Sequence, residues 1–246
     1  MMLDSKETKE KILSEFLTIC EFDGWTLNSL IRAVKNAGID EKFLPLIFEN
    51  DVLDIAKFYI QSQNEKSAKV IFEIDDFHAK KIRDKIRISL YSRFEIEKDH
   101  KIILQRLINF YLNPKNFLNL EIGVRPLFQG MKACYEIADF IWKVINDQST
   151  DFNFYTKRAT LAKIILRSLL VFLKDESNDL QKTKMFIDSQ IEAVMRFEKK
   201  KSQVKKFFSE VKNMSEKAFL DENGLPKSPK NLIKDLPFFR LIKFKR

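Results

Sequence analysis

Apolar residues recur along most of the chain at the spacing of amphipathic helices. In residues 8–22 they include Ile12, Leu13, Phe16 and Ile19, which share one helical face. Similar patterns follow in the segments TLNSLIRAVKNAG, HKIILQRLINFYL and VRPLFQGMKACYEIADFIWKVI. Gly occurs only 5 times and Pro 6 times in 246 residues, so few residues interrupt these patterns. The sequence therefore predicts an all-α protein whose helices are joined by short loops.

Residues 1–58 have the pattern of a three-helix bundle. Thr26 is the expected N-cap of the second helix, and Gly38 is the expected stop at its end. The tight turn at Gly38, followed by EKFLPLIFEN, is typical of a helix-turn-helix. Pro45 interrupts the third helix, however, and acidic residues flank it, which repels a phosphate backbone. We therefore expect a degenerate helix-turn-helix that does not bind nucleic acid.

The rest of the chain divides by composition into two parts. Residues 59–212 predict a larger helical domain, and residues 213–246 predict a linker followed by an amphipathic basic helix. The net charge of +9 is unevenly placed. Residues 1–60 hold seven Lys/Arg against eleven Asp/Glu, and residues 197–246 hold fourteen against six. The basic end of the chain is thus expected to face a different partner from the acidic start.

Several classes of chemistry lack their residues in this sequence. The two histidines, His78 and His100, and the two cysteines, Cys20 and Cys134, have no metal-ligand spacing. Neither a Gly-rich phosphate loop nor a nucleophile elbow is present. We therefore expect no enzyme, no metal and no cofactor. The N-terminus does not have the pattern of a signal or transit peptide, and the apolar runs are too short to span a bilayer. These features indicate a cytoplasmic protein, soluble or peripheral.

The stretch DQSTDFNFYTKRATLAKIILRSLLVFLKDES, residues 147–177, predicts a loop that leads into a central helix. At 100° per residue, Asp151, Phe154, Tyr155 and Arg158 lie on the apolar side of that helix. Because an unpaired buried charge is costly, we expect this end of the helix to emerge at the surface, where aromatics framed by charges typically bind a protein. The alternative is a local cap and salt-bridge cluster, and spacing alone leaves both open.

The segment IADFIWKVINDQSTDFNFYTKRATLAKI resembles the most characteristic segment of the ubiquinone (coenzyme Q) biosynthesis accessory protein family. GWTLNSLIRAVKNAGI and KIRISLYSRFEI also resemble that family, and the resemblance covers roughly residues 10–210. Two positions differ from the family pattern, since Phe154 stands where the family has Trp and Asn146 stands where it has Gly. The matching positions of the main segment are Asp139, Trp142, Asp147, Ser149, Asp151, Asn153, Tyr155, Thr156, Arg158 and Leu161.

This resemblance implies a tetracycline-repressor-like fold and a protein that is not an enzyme. It implies binding of an isoprenoid lipid, namely a quinone or its precursor, association with the inner membrane, and a homodimer. It also implies that the protein presents the precursor to the demethoxyubiquinone hydroxylase. Carried over by position, the hydroxylase-binding residues are Ile141, Trp142, Asp151, Phe154, Tyr155 and Arg158.

A lipid pocket is expected among the helices of residues 60–200. Ordinary core is the favoured alternative for each candidate, because large apolar side chains at helical spacing fill protein cores as well as pockets. The candidate pocket residues are Phe110, Leu112, Leu166, Leu169, Leu170 and Phe172.

The C-terminal segment PKSPKNLIKDLPFFRLIKFKR combines seven Lys/Arg and one acid with large apolar residues. An amphipathic helix of this kind suits an anionic membrane surface, where each basic residue contributes about 1 kcal/mol. A disordered tail or a helix docked on the core are the alternatives. The candidate membrane-binding residues are Leu236, Phe238, Phe239, Arg240, Leu241, Ile242 and Lys243.

The resemblance, taken with the basic C-terminal segment, implies a non-catalytic protein that takes isoprenoid quinone precursors from the membrane and presents them to the hydroxylase. A ligand-responsive transcription regulator is the alternative, and the net negative charge of residues 1–60 counts against it.

Overall fold

The computed structural model describes residues 5–49, 51–113, 120–150 and 152–213, with side chains described outside 120–129, 152 and 200–213. No strand occurs in these ranges, and the predicted all-α fold class is confirmed. Whether the helices are arranged as in tetracycline-repressor-like proteins stays a prediction. The α-helices of the described ranges are α1 (Lys6–Asp23), α2 (Leu27–Asn36), α3 (Leu44–Ile47), α4 (Val52–Phe72), α5 (Ile82–Glu97), α6 (Lys101–Leu112), α7 (Leu120–Val144), α8 (Phe152–Phe172) and α9 (Gln181–Asn213).

The chain divides into two units, Met1–Ile191 and Glu192–Arg246. The boundary expected after residue 58 falls inside α4, and a further division of the first unit into two domains stays a prediction. The second unit contains the last part of α9, up to Asn213. None of the described helices combines the length and the apolar character needed to cross a bilayer.

Polar caps and glycines set the ends of the first two helices. The Ser5 hydroxyl accepts a hydrogen bond from the backbone N–H of Thr8, and the Thr26 hydroxyl accepts one from Ser29. Gly24 ends α1 at φ 77°. Gly38 follows α2, also at φ 77°, a conformation that glycine adopts at low cost. The sequence-predicted cap at Thr26 and stop at Gly38 are thus confirmed.

The third helix of the expected helix-turn-helix is very short. A 3₁₀ turn at Glu41–Phe43 leads into α3, which comprises only Leu44–Ile47 and carries Pro45 in its first turn. Leu44 and Ile47 are buried. A helix of one turn offers little length for reading the major groove, which a recognition helix enters with its first turns.

Trp25 holds the N-terminal helices against the rest of the unit. Its indole N–H donates a hydrogen bond to the carbonyl of Ile103 in α6 at 3.0 Å. Its ring packs edge-on against Phe16 of α1 and Tyr59 of α4, with centroids 5.0 and 5.8 Å away. Around this centre α1 packs on α2 and α6, while α4 packs on α5 and α7. The helices α6, α7 and α8 complete the core, because α7 packs on both neighbours.

The turn between α7 and α8 has the geometry of a Schellman C-cap. Asn146 lies in the left-handed region at φ 63°, which explains how Asn can stand where the resembled family has Gly. Its N–H donates to the carbonyl of Lys143 at 2.9 Å, and the N–H of Asp147 donates to that of Trp142 at 3.0 Å. The cap therefore fixes the backbone position of Asp147 next to the end of α7.

The turn before α9 is organised by a buried carboxylate. Asp175 accepts hydrogen bonds from the backbone and the hydroxyl of Thr183 at 2.7 and 2.6 Å, and from the backbone of Ser177 at 2.9 Å. Burial alone would raise the pKa of Asp175, but the hydrogen bonds from Ser177 and Thr183 outweigh it and lower that pKa. This carboxylate thereby links the loop at residues 175–177 to the first turn of α9.

Candidate functional site

A cavity of about 620 Å³ lies among α4, α5, α6, α7 and α8. Each helix contributes apolar side chains, for example Ile60, Leu90, Leu104, Ala133 and Leu169. Small-molecule sites commonly have volumes of roughly 300–1,000 Å³ and predominantly apolar walls. The cavity therefore has the size and lining of a site for an apolar ligand.

The cavity opens to solvent at one side. Leu112, Met131 and Leu166 line it and are also 54%, 66% and 47% exposed. Lys163 lines the same region and is exposed as well. An apolar rim of this kind is costly in water and is typical of a binding site.

Three of the six expected pocket residues line this cavity, namely Leu112, Leu166 and Leu169. The other three expected pocket residues are not among the residues that line the cavity. Phe172 is fully buried and packs its ring against Phe94, with centroids 5.0 Å apart. Leu170 is 52% exposed and lies outside the wall, because it follows Leu169 by 100° around α8. Phe110 lies against Tyr111 rather than in the wall, with centroids 5.4 Å apart. Lipid binding by the residues that do line the cavity stays a prediction.

One part of the wall is polar. Arg93 and Glu97, one turn apart on α5, line the cavity although their side chains are only 8% and 2% exposed. Arg93 Nη2 lies 2.8 Å from Glu97 Oε1, and Arg93 Nη1 donates to Asn64 Oδ1 at 2.7 Å. The hydroxyl of Tyr59 donates to Glu97 Oε2. Burial and the neighbouring Glu97 carboxylate raise the pKa of Tyr59 well above its ordinary value, so this phenol keeps its proton.

Sequence reasoning missed Arg93 and Glu97, although the pattern contained a signal. Leu90, Arg93, Phe94 and Glu97 follow at i, i+3, i+4 and i+7, which places all four on one helical face. Two opposite charges on the same face as two large apolar residues indicate a buried ion pair rather than a solvated surface.

A second polar cluster joins α7 to α8 around Arg158. Arg158 Nε donates to Asp139 Oδ1 at 2.5 Å, and Nη1 donates to the carbonyl of Phe154 at 3.1 Å. Nη1 also lies 3.5 Å from Asp147 Oδ2. The guanidinium carbon is 3.3 Å from the centroid of the Phe154 ring, which is a cation–π contact. The motif residues Asp139, Asp147 and Arg158 are thus brought together in space.

This end of α8 was expected to emerge at the surface, and it does so only in part, because Tyr155 is exposed but Arg158 is buried in a salt-bridge cluster. Arg158 is 2% exposed, and its partners explain why burial is tolerated, since two carboxylates pair with the charge. Ile141 and Trp142 are also buried, at 4% and 5%. Phe154 is half-buried, and Tyr155 is 62% exposed. Of the residues expected to bind the hydroxylase, Tyr155 therefore has the largest described solvent-facing surface, and the binding role of this set stays a prediction.

Lys157 closes the cluster from the solvent side. Its Nζ donates to Asp147 Oδ1 at 2.7 Å and to the Ser149 hydroxyl at 2.5 Å, and it lies 5.0 Å from the centroid of the Trp142 ring. Burial alone would raise the pKa of Asp147, but the hydrogen bonds from Lys157 and Ser149 outweigh it and hold that pKa below its ordinary value. The balance is the same at Asp139, where hydrogen bonds from Arg158 and Lys143 outweigh burial and lower the pKa.

Some expected site residues fall outside the described part of the chain. Asp151 is one of them, and so is the whole candidate membrane-binding set, Leu236, Phe238, Phe239, Arg240, Leu241, Ile242 and Lys243. Within the described ranges, no three His, Cys, Asp or Glu side chains form a group that could hold a metal ion.

Comparison with known proteins bears on the same segment. A family model described as COQ9 matches residues 127–198, which include most of α7 and all of α8. The ubiquinone biosynthesis protein COQ9, mitochondrial, of Rattus norvegicus is 24% identical over 200 residues, covering 81% of this chain and 62% of the relative. The protein of the same name from Homo sapiens is 23% identical over 200 residues, covering 81% and 61%. The probable ubiquinone biosynthesis protein coq9, mitochondrial, of Dictyostelium discoideum is 22% identical over 203 residues, covering 80% and 63%.

The chain thus spans between 61% and 63% of the length of these relatives. The matched range of the family model contains Asp139, Asp147 and Arg158, which belong to the segment that carries the resemblance. The names of the relatives agree with that resemblance. These matches confirm that the chain resembles the ubiquinone biosynthesis accessory family, whose matching model is described as COQ9.

Proposed function

We propose that this chain binds an isoprenoid lipid of ubiquinone biosynthesis in the cavity among α4–α8 and performs no chemistry itself. The observation that carries the proposal is the cavity of about 620 Å³, with walls supplied by five helices and a mouth at Leu112, Met131 and Leu166. A ligand that covers this apolar rim removes it from water, at about 25 cal/mol per Å². The names of the relatives support a role in ubiquinone biosynthesis.

A quinone precursor fits this site for two reasons. Its isoprenoid chain is apolar and flexible, so it can follow a wall built from Leu, Ile and Ala side chains. Its ring is neutral and carries oxygen atoms, which avoids the cost of burying an unpaired charge in such a cavity.

Lipid binding is tested by identifying the lipids that co-purify with the protein. Ala162 lines the cavity, so Ala162→Phe places a ring inside it. Thr160→Phe is the matched control, because Thr160 is exposed on the same helix and lies outside the cavity wall. Solvent extraction and mass spectrometry should find a prenylated quinone or precursor with the wild type and with Thr160→Phe, but not with Ala162→Phe. Bulk phospholipid alone, at the same level in all three proteins, would reject the proposal.

We further propose that the surface at Tyr155 contacts the hydroxylase to which the lipid is presented. Tyr155 is 62% exposed, and its ring packs edge-on against Phe154 at 5.1 Å between centroids. A preordered, exposed aromatic is typical of a binding hot spot. In a pull-down with demethoxyubiquinone hydroxylase, Tyr155→Ala should reduce recovery at least ten-fold. Phe72→Ala is the matched control, since Phe72 is 60% exposed and also stacks on a neighbour, His78. Equal recovery of both variants would place the contact elsewhere.

The proposal includes a peripheral position on the inner membrane and a homodimer. The basic and apolar segment 226–246 supports the first, because its seven Lys/Arg suit an anionic surface. Removing residues 226–246 should abolish co-sedimentation with vesicles that contain anionic lipid. Light scattering of the full chain measures the dimer directly, and a monomer at all concentrations would rule it out.

A further inference from the structure

The wall of the cavity contains charged side chains, which an isoprenoid chain alone would not need for binding. Among the described lining residues, only Arg93, Glu97 and Lys163 carry a charge, and Lys163 is exposed near the mouth. Arg93 and Glu97 are buried, at 7% and 2% exposure. Two buried charges in an otherwise apolar cavity are costly unless their hydrogen-bonding groups find partners.

The partners of this pair are incomplete within the described residues. Glu97 Oε1 lies 2.8 Å from Arg93 Nη2, but the contact is not aligned as a hydrogen bond, and this oxygen accepts none. The Arg93 guanidinium donates through Nη1 to Asn64 Oδ1 and, at 3.4 Å, to the carbonyl of Ile60. Because a guanidinium has five N–H groups, Arg93 retains donors beyond these contacts. The pair can therefore offer a ligand both a donor and an acceptor.

The charge of the pair selects the class of ligand. Arg93 and Glu97 neutralise each other, so an anionic head would meet the Glu97 carboxylate and a cationic head would meet the Arg93 guanidinium. A neutral ring with carbonyl or hydroxyl oxygens suits both, since its oxygens accept from Arg93 and a hydroxyl donates to Glu97 Oε1. Tyr59 and Asn64 hold the two side chains in place from α4, through the bonds to Glu97 and Arg93.

We propose that Arg93 and Glu97 form the head-group subsite of the cavity and recognise the oxygen atoms of a neutral prenylated ring. This inference rests on the proposed function, because it assumes that the cavity holds a lipid. It adds which residues determine specificity and which end of the lipid lies inside, with the ring at α5 and the isoprenoid chain directed along the apolar wall.

Two matched probes test the subsite. 2-Farnesyl-1,4-benzoquinone and farnesylbenzene have the same tail, and only the first has ring oxygens. The double variant Arg93→Met with Glu97→Leu removes both charges together, so it leaves no unpaired buried ion. Titration should show that the wild type prefers the quinone at least ten-fold, and that the double variant loses this preference while it binds farnesylbenzene as the wild type does.

The outcomes separate this inference from the function on which it rests. Binding of neither probe by the wild type would reject the lipid cavity itself. Binding of both probes by both proteins, with an unchanged preference for the quinone, would reject the subsite and leave the lipid cavity standing.

A second variant keeps the inference testable if the double variant does not fold. Glu97→Gln preserves the shape of the side chain and its acceptor for Tyr59, but it gives the subsite a net positive charge. The affinity ratio of 3-farnesyl-4-hydroxybenzoate, an anion, to the farnesyl quinone should rise at least ten-fold relative to the wild type. An unchanged ratio would mean that the ligand ring does not reach Glu97, and it would overturn the proposal.

Discussion

Two arginines are buried among the residues that the structure describes, and their surroundings differ. Arg158 is enclosed by acceptors, since Asp139, Asp147 and the Phe154 carbonyl all approach its guanidinium while the Phe154 ring covers one face. Arg93 has one carboxylate partner, Glu97, and lies in the wall of a cavity. Both residues are less than one-tenth exposed, so burial alone does not distinguish them.

The difference lies in where each arginine stands relative to the cavity, since Arg93 lines it and Arg158 does not. The Arg158 cluster lies outside the cavity wall, although Asp147 Oδ2 accepts no hydrogen bond there, and it ties the end of α7 to the first turns of α8. The Arg93–Glu97 pair retains hydrogen-bonding capacity on the side of an open space. We infer that the first arginine stabilises the fold and presents Tyr155, whereas the second is available to a ligand.

Arg158→Met should have the largest effect on stability. The change leaves Asp139 and Asp147 without the guanidinium, and breaking a buried ion pair costs about 3–5 kcal/mol. Chemical denaturation should show this loss of unfolding free energy. Arg167→Met is the control, because Arg167 is exposed on the same helix and makes one hydrogen bond, to Gln190 at 3.3 Å. A loss below about 1 kcal/mol for Arg158→Met would show that the cluster is not structural, since exposed pairs cost no more than this.

Arg93→Met should be less destabilising than Arg158→Met. It leaves the Glu97 carboxylate facing a cavity that water can enter, so the charge is solvated in part and the expected cost is about 1–3 kcal/mol. The same denaturation series measures both variants. The distinction between the two arginines would be contradicted if Arg93→Met lowered the unfolding free energy as much as Arg158→Met or more.

Acid should destabilise the cluster that Arg158 forms with Asp139 and Asp147. Hydrogen bonds lower the folded-state pKa values of Asp139 and Asp147, so their contribution to stability is present above the unfolded pKa of about 4. It is lost as the pH falls through the lower folded values. The unfolding free energy measured from pH 6 to pH 3 should fall less steeply for Asp147→Asn than for the wild type. An exposed control, Asp99→Asn, should follow the wild-type curve, and parallel curves for all three would contradict the role of Asp147.

Gly130→Ala should have the smallest effect. A Cβ at this position would lie 2.9 Å from Cγ of Tyr111, and overpacking of this kind costs about 1–3 kcal/mol. The gain of helix propensity offsets about 1 kcal/mol of that cost. A net loss of up to about 2 kcal/mol in denaturation is therefore expected. The additional change Tyr111→Leu removes the ring from this contact and should recover part of the loss, whereas no recovery would mean that the contact is unimportant.

Local structure was predictable where one residue decides it. The cap at Thr26, the stop at Gly38 and the left-handed turn at Asn146 each follow from the chemistry of a single side chain or its absence. The burial of Arg158 was not predictable in this way, because its angular position on the helix shows which face it lies on but not which partners it meets. Its partners Asp139 and Asp147 lie 19 and 11 residues earlier, and they reach it only once the Schellman turn has reversed the chain.

The cavity was predictable only in part for a similar reason. Helical spacing identifies an apolar face, but the neighbouring helices decide whether a residue on it meets another side chain or empty space. Leu169 lines the cavity and Phe172, on the same helix, packs against Phe94. Whether a side chain of α5 contacts another helix or faces the cavity depends on the packing of several helices, which the sequence of one helix does not encode.

The central claim is that the cavity among α4–α8 holds an isoprenoid lipid, and ligand-dependent unfolding tests it most directly. A ligand that binds only the folded state raises the unfolding free energy by about 2.7 kcal/mol at one hundred times its dissociation constant. Added 2-farnesyl-1,4-benzoquinone should therefore stabilise the wild type and Thr160→Phe in proportion to the logarithm of its concentration, and it should not stabilise Ala162→Phe. Equal stabilisation of Ala162→Phe and the wild type would contradict the claim, because the lipid would then bind somewhere other than this cavity.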